Sequence, residues 1–127
     1  MEKNDIILQL PLCTNNNLLC ARLTTSAVCS LLNIGIDETE DTKVCVNEAC
    51  LMMMSANYKR VKLVFNGQND LVITVTGEGS CEKNKVFDDK SKDLGLTLLN
   101  SLIDDVKYIK SQGLITSITL TKRIKQR

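Results

Sequence analysis

Glu48 lies in the stretch 47–57, NEACLMMMSAN, one helical turn after Val44 and one before Met52. At i, i+4 spacing these three side chains fall on one row of a helix, so a carboxylate is set in line with apolar groups. Such a group can act as a proton acceptor, or it can be a buried, hydrogen-bonded acid with no catalytic part. The three consecutive methionines Met52–Met54 point away from chemistry. Methionine fills irregular gaps in cores, and its thioether is a poor ligand for a hard cation. Other routes are closed by composition. The chain has no histidine, which removes Ser-His-Asp and Cys-His nucleophilic catalysis and any mixed Cys/His zinc site. Its six cysteines, at 13, 20, 29, 45, 50 and 81, include no C-x-x-C pair. Five of them have apolar neighbours, and they read as small buried thiols in a reducing compartment.

The elements that must position Glu48 can be read from periodicity. DIILQL, ended by Pro11, is a short strand. LLCARLTTSAVCSLLN is a helix whose apolar stripe is Leu19, Leu23, Ala27 and Leu31, with Gly35 as its C-terminal cap. A capping box formed by Asp37 and Glu40 opens a second helix of about 20 residues, roughly 30 Å long, which carries Glu48. RVKLVF and LVITVT are strands joined across an Asn-Gly turn signal. A polar, aperiodic loop follows at about 77–92. DLGLTLLNSLIDDV is a third helix, with Gly95 in its first turn and a stripe of Leu94, Leu98, Leu99, Leu102, Ile103 and Val106. KYIKSQGLITSITLTK closes the chain as a hairpin turning near Gln112-Gly113. The order β-α-α-β-β-loop-α-β-β predicts an α+β two-layer sandwich in one domain, 1–127, with helices on one face of a mixed, mostly antiparallel sheet.

A net charge of +1 over 127 residues argues against a general nucleic-acid binder. No run approaches the length needed to cross a bilayer, and the N-terminus lacks the features of a signal peptide, so no membrane role is expected and a cytoplasmic location is.

The pieces DETEDTKVCVNEAC, LVITVTGEG and DLGLTLLNSLIDDVKYI…GLITSITLTK, in that order, resemble the small serine kinase/anti-sigma factors of bacteria (the RsbW and SpoIIAB type). These belong to the GHKL ATPase superfamily, with its histidine-kinase-type, or Bergerat, nucleotide-binding fold. The resemblance covers roughly residues 5–123. It implies ATP and Mg²⁺ as cofactors, held by three boxes.

In the first box, E-x-x-x-N, the Glu acts as base or orients water and the Asn holds Mg²⁺. Glu48 matches the Glu, but Met52 stands at the Asn, so no metal ligand set is expected. In the second, D-x-G-x-G, an Asp accepts the adenine amino group. One register puts Gly77 at the Asp, Gly79 at the first Gly and Cys81 at the second; the other puts Val75 at the Asp. Neither supplies a carboxylate. The third, G-G-x-G-L, lets backbone amides approach phosphate at a helix N-terminus. KDLGL keeps Gly95 and Leu96, with Lys92 and Asp93 in place of the first two glycines; Asp93 reads as an N-cap and Lys92 as a partial substitute for phosphate contacts.

All three boxes depart in the direction of lost nucleotide binding, so ATP use is expected to be lost or weakened. What the resemblance leaves is protein binding. It implies a homodimer that holds a sigma factor or a STAS-domain antagonist, with Arg22 of CARLTTSAV at the contact. The expected function is an anti-sigma-like regulator acting by contact. The alternative is an active ATP-dependent serine/threonine kinase phosphorylating the antagonist. A third class is a small-molecule sensor using the emptied, methionine-lined pocket.

Overall fold

A computed structural model describes residues 5–12, 15–79 and 89–124, with side chains except those of 15 and 89–93. The strict alternation of RVKLVFN sends Val61, Leu63 and Phe65 to one side of strand β2 (Arg60–Asn66), where all three are buried. The neighbouring strand β3 (Leu71–Glu78) matches it with Leu71, Ile73 and Val75. With β1 (Ile6–Pro11), β4 (Asp105–Ser111) and β5 (Leu114–Lys122) they form a five-stranded sheet in the order β1-β2-β3-β5-β4. Each pairing is antiparallel. The turn between β4 and β5 falls at Gln112 (φ 53°) and Gly113 (φ 79°), the positive dihedrals of a two-residue hairpin turn.

Three helices, α1 (Leu18–Leu31), α2 (Ile36–Ser55) and α3 (Asp89–Leu102), complete the second layer. Helix α2 lies against β3 and β5 and is flanked by α1 and α3. Its Cys45, Val46, Ala49, Cys50 and Met53 are fully buried against the apolar face of the sheet. The architecture is the two-layer α+β sandwich that the element order predicts, and it is consistent with the Bergerat-like fold that the resemblance implies.

The details of the helices differ from what periodicity predicts. Leu19, Leu23 and Leu31, expected as the α1 stripe, are 49%, 60% and 73% exposed, and Ala27 is exposed with them. The buried face is Leu18, Ala21, Thr25, Val28 and Cys29. Both rows fit an i, i+4 pattern because α1 is apolar almost all round. The face with small residues wins, since it lets α1 approach α2 closely. Thr25 is tolerated in it because its hydroxyl donates to the Ala21 carbonyl at 2.8 Å.

The caps also move. Asn33, at φ 57°, ends α1 in the left-handed conformation, and the Ile34 N–H donates back to the Cys29 carbonyl at 3.0 Å. Gly35 caps the start of α2 instead, with its carbonyl accepting from the Thr39 N–H at 2.9 Å. Asp37 and Glu38 therefore lie in the first turn of α2, where they still complement its dipole. Helix α3 begins at Asp89, so Gly95 and Asp93 are interior to it. Of its predicted stripe, Leu99 and Ile103 are buried, Leu94 and Leu98 are exposed, and Val106 belongs to β4.

At the end of β5, Lys122 bridges two elements. Its Nζ lies 3.2 Å from Asp104 Oδ2 and 3.5 Å from Glu38 Oε2, with the Lys122 side chain only 14% exposed. Burial works to lower the Lys122 pKa, but the bond and charge of Asp104, with Glu38 adding to them, carry it above 10.5. Asp104 also accepts from the Arg123 N–H at 2.7 Å. That bond, with help from Lys122, holds its carboxyl below the usual 3.8. A depressed carboxylate contributes stability that is complete above its unfolded pKa and is lost as pH falls through its folded one. Asp104→Asn is therefore expected to be less stable than the parent at pH 7, with the gap closing below about pH 4. Urea denaturation from pH 3 to 7 checks this; a gap that does not change with pH would rule it out.

Candidate functional site

Glu48 projects from the fourth turn of α2 toward α3. It is half-buried, and the row it shares with Val44 and Met52 runs from solvent to core: Val44 is exposed, whereas Met52 is 5% exposed. Met53 is fully buried, and Met54 packs against the edge of the core. Gly95 of α3 sits directly on this row. A Cβ placed on Gly95 would lie 3.0 Å from Glu48 Oε1 and 3.3 Å from Met52 Sδ. A side chain at 95 would press on both groups, and the bare glycine lets α3 seat on them without displacing either. As the seventh residue of α3, Gly95 lies beyond the first four N–H groups, which are the ones a helix leaves free for an anion. Leu96, the next residue, is part-buried against the core.

The strand that carries the second box ends beside the C-terminus of α2. Gly77 faces the helix layer, opposite Val61 in the β2–β3 register. A Cβ there would meet the Tyr58 ring at 2.4–2.6 Å, so the ring lies flat against the bare backbone of Gly77. The Tyr58 hydroxyl reaches across to β5 and donates to the Ile115 carbonyl at 3.0 Å. Asn57, at φ 66°, makes the turn that delivers Tyr58 from α2, and the Tyr58 N–H donates to the Met53 carbonyl at 3.2 Å. Val75, at the Asp position in the other register, is fully buried among the core side chains. Gly79 adopts φ 91°, a conformation L side chains rarely take, where the chain leaves the sheet.

Nothing in the motifs or periodicity singles out Tyr58. The one signal in the sequence is Gly77, since a glycine inside a strand run often marks the close approach of another group.

Arg22 is neither free nor fully buried. Its Nη1 donates to Asn47 Oδ1 at 2.7 Å, tying α1 to α2 one residue before Glu48. The Lys92 and Asp93 side chains, Cys13, Cys81 and most of the 77–92 loop fall outside the described residues. Of the described cysteines, Cys29, Cys45 and Cys50 are buried, as expected of core thiols, whereas Cys20 is exposed on α1. Burial pushes the Cys45 and Cys50 thiols up to about 12, so neither supplies a thiolate near neutral pH. Among the described residues no three His, Cys, Asp or Glu side chains converge on a common point, and no helix is long and apolar enough to cross a membrane.

No protein-family model matches the chain. Individual proteins do. The serine-protein kinase RsbW of Bacillus mycoides (strain KBAB4) is 30% identical over 83% of this chain and 76% of its own length. The serine-protein kinases RsbW of Bacillus thuringiensis (strain Al Hakam) and Bacillus cereus (strain 03BB102) are each 31% identical over the same shares. With that identity spread over most of both chains, the chain belongs to the serine-protein kinase RsbW family.

Proposed function

We propose that this chain is an anti-sigma-factor-like regulator that works by holding other proteins, with ATP use lost or weakened. The observation that carries this reading is the seat of Gly95 on Glu48 and Met52. A Mg²⁺-triphosphate needs hard oxygen ligands and a space beside the catalytic carboxylate. Here a thioether stands at the ligand position, and the α3 backbone at Gly95 packs close to both the thioether and the carboxylate. Without a positioned metal and phosphate, Glu48 has no developing charge to act on, and phosphoryl transfer is deprived of the electrostatic stabilisation it depends on most. Gly79, Gly95, Leu96 and Lys92 are the positions left to contact a nucleotide weakly. The family's regulatory role by protein contact needs none of them.

The exposed face of α1 supports the contact role. Leu19, Leu23, Ala27 and Leu31 form an uninterrupted apolar row, extended past the turn by Ile36 at 83% exposure. Its only neighbouring charge on α1, Arg22, is occupied by Asn47. A face with no charge of its own can meet its own image across a two-fold axis without repulsion. We assign it to a second copy of this chain, leaving Arg22 at the α1–α2 seam for the sigma factor or STAS-domain antagonist.

The retained Glu48 favours a second reading, an active serine/threonine kinase with divergent boxes. Calorimetry with Mg²⁺-ATP and ADP decides between them, with Glu48→Ala as control. The expected result is no saturable heat up to millimolar nucleotide in either protein. Micromolar, magnesium-dependent binding that weakens in Glu48→Ala would overturn the proposal in favour of the kinase.

A further inference from the structure

We propose that the hollow between the C-terminal half of α1 and the start of α2 is a binding site for a primary ammonium on a short aliphatic stem. The hollow has a volume of about 250 Å³ and is lined by Ser26, Ser30, Ile34, Ile36, Thr39 and Glu40. Sites for drug-sized ligands run from about 300 to 1,000 Å³, so this one suits a smaller molecule or a single side chain. Glu40 precedes Glu48 by two turns of α2, about 12 Å along the helix, so the hollow is separate from the row of Glu48, Met52 and Gly95. The site is independent of whether the chain uses ATP.

Its polar groups are uncommitted. A helical Ser or Thr hydroxyl commonly donates back to a carbonyl of the preceding turn, as Thr25 does to Ala21, Thr42 to Glu38 and Ser101 to Leu98. Among the described residues, Ser26 and Ser30 make no such bond, and both border the hollow. Thr39 Oγ1 donates only at 3.4 Å, to the Ile34 carbonyl, which leaves its oxygen able to accept. The Glu40 carboxylate, 61% exposed at the rim, holds the Lys43 ammonium at 3.2 Å. A carboxylate has about four acceptor positions, so it has capacity for a second ammonium.

The charges choose the ligand. The N–H groups at the start of α2 would draw an anion, but Glu40, with Asp37 and Glu38 in the first turn, repels one. A primary ammonium has three donors and no acceptor. Ser26, Ser30 and Glu40 offer it three acceptors, and Ile34 and Ile36 form an apolar wall for its stem. Ile36 is 83% exposed, so a stem laid against it removes apolar surface from water.

The test titrates the ¹⁵N-labelled full chain with n-butylamine, which is protonated at pH 7. Butan-1-ol keeps the stem without the charge, and butyltrimethylammonium keeps the charge without an N–H. The expected result is saturable amide shifts centred on Ser26, Ser30, Thr39 and Glu40, with a dissociation constant on the order of 1 mM. Both controls should bind about 5-fold or more weakly. Glu40→Gln, and separately Ser26→Ala combined with Ser30→Ala, should each weaken n-butylamine by about 5-fold. None of these side chains is buried and alanine favours a helix, so the variants should melt with the parent.

Nα-acetyl-lysine methylamide identifies the source of the ammonium. Binding as tight as that of n-butylamine assigns the site to a lysine side chain of another protein, and binding 5-fold weaker assigns it to a free amine. Unsaturable shifts spread over the acidic surface, equal binding of butyltrimethylammonium, or folded variants that bind as the parent does would each overturn the proposal.

Discussion

Met52→Asn, which writes the family's metal-binding asparagine back into α2, is expected to destabilise the protein by about 2–4 kcal/mol and to restore no magnesium-dependent nucleotide binding. Met52 is 5% exposed, and its sulfur is in contact range of Gly95. The exchange removes most of a buried thioether chain, worth about 2 kcal/mol in transfer, and leaves a void beside α3. It also buries an amide with two donors and an acceptor. The Glu48 carboxylate, one turn back on the same row, can accept one of the donors, which keeps the cost below that of a fully orphaned amide. Met52→Leu separates volume from polarity: a swap of similar volume should cost less than about 1.5 kcal/mol. Urea denaturation gives both values, and calorimetry with Mg²⁺-ATP gives the second half of the expectation. A Met52→Asn protein as stable as its parent that binds the nucleotide would mean that α3 does not hold the site closed.

The order of elements and the sheet were legible from the sequence because they rest on local signals. The alternation of Val61, Leu63 and Phe65 and the Gln112-Gly113 turn each specify their conformation within a few residues. Met52 at the box asparagine was equally plain, since it needs only a count along one helix. The faces of α1 were not legible. Leu19, Leu23, Ala27 and Leu31 satisfy a helical period as well as the row that is buried, and periodicity cannot say which apolar row meets the core. That choice is made by α2, whose close approach favours Ala21, Val28 and Cys29 over leucines. The caps failed for a similar reason. Asn33 and Gly35 both suit a helix end, and the register of the turn between α1 and α2 decides which ends one helix and which begins the next. Tyr58 on Gly77 and Arg22 on Asn47 are contacts across 19 and 25 positions of chain, which no local pattern records.

Leu23→Asp combined with Leu31→Asp is expected to weaken self-association of the chain by about 100- to 1000-fold while leaving its folding stability within about 0.5 kcal/mol. Both leucines are mostly exposed in the single chain, at 60% and 73%, so their removal costs the fold almost nothing. In a two-fold pair each substitution is made twice, so four buried leucines are lost for two changed positions. Each contributes on the order of 1 kcal/mol for the surface still available to bury, and each new carboxylate is set against the apolar row of the other copy. Sedimentation equilibrium of the full chain measures the first quantity and urea denaturation the second. Ile109→Asp on β4 is the control: that residue is as exposed as Leu23 but lies on an edge strand, and its substitution should leave association unchanged. If the α1 double variant associates as the parent does and Ile109→Asp does not, the second copy sits on the edge of the sheet, and the apolar row of α1 is free for a different protein. If the parent is monomeric at the highest measurable concentration, the row is not a site of self-pairing. The same double variant, which folds, then becomes the reagent that asks whether a sigma factor or antagonist is held there instead.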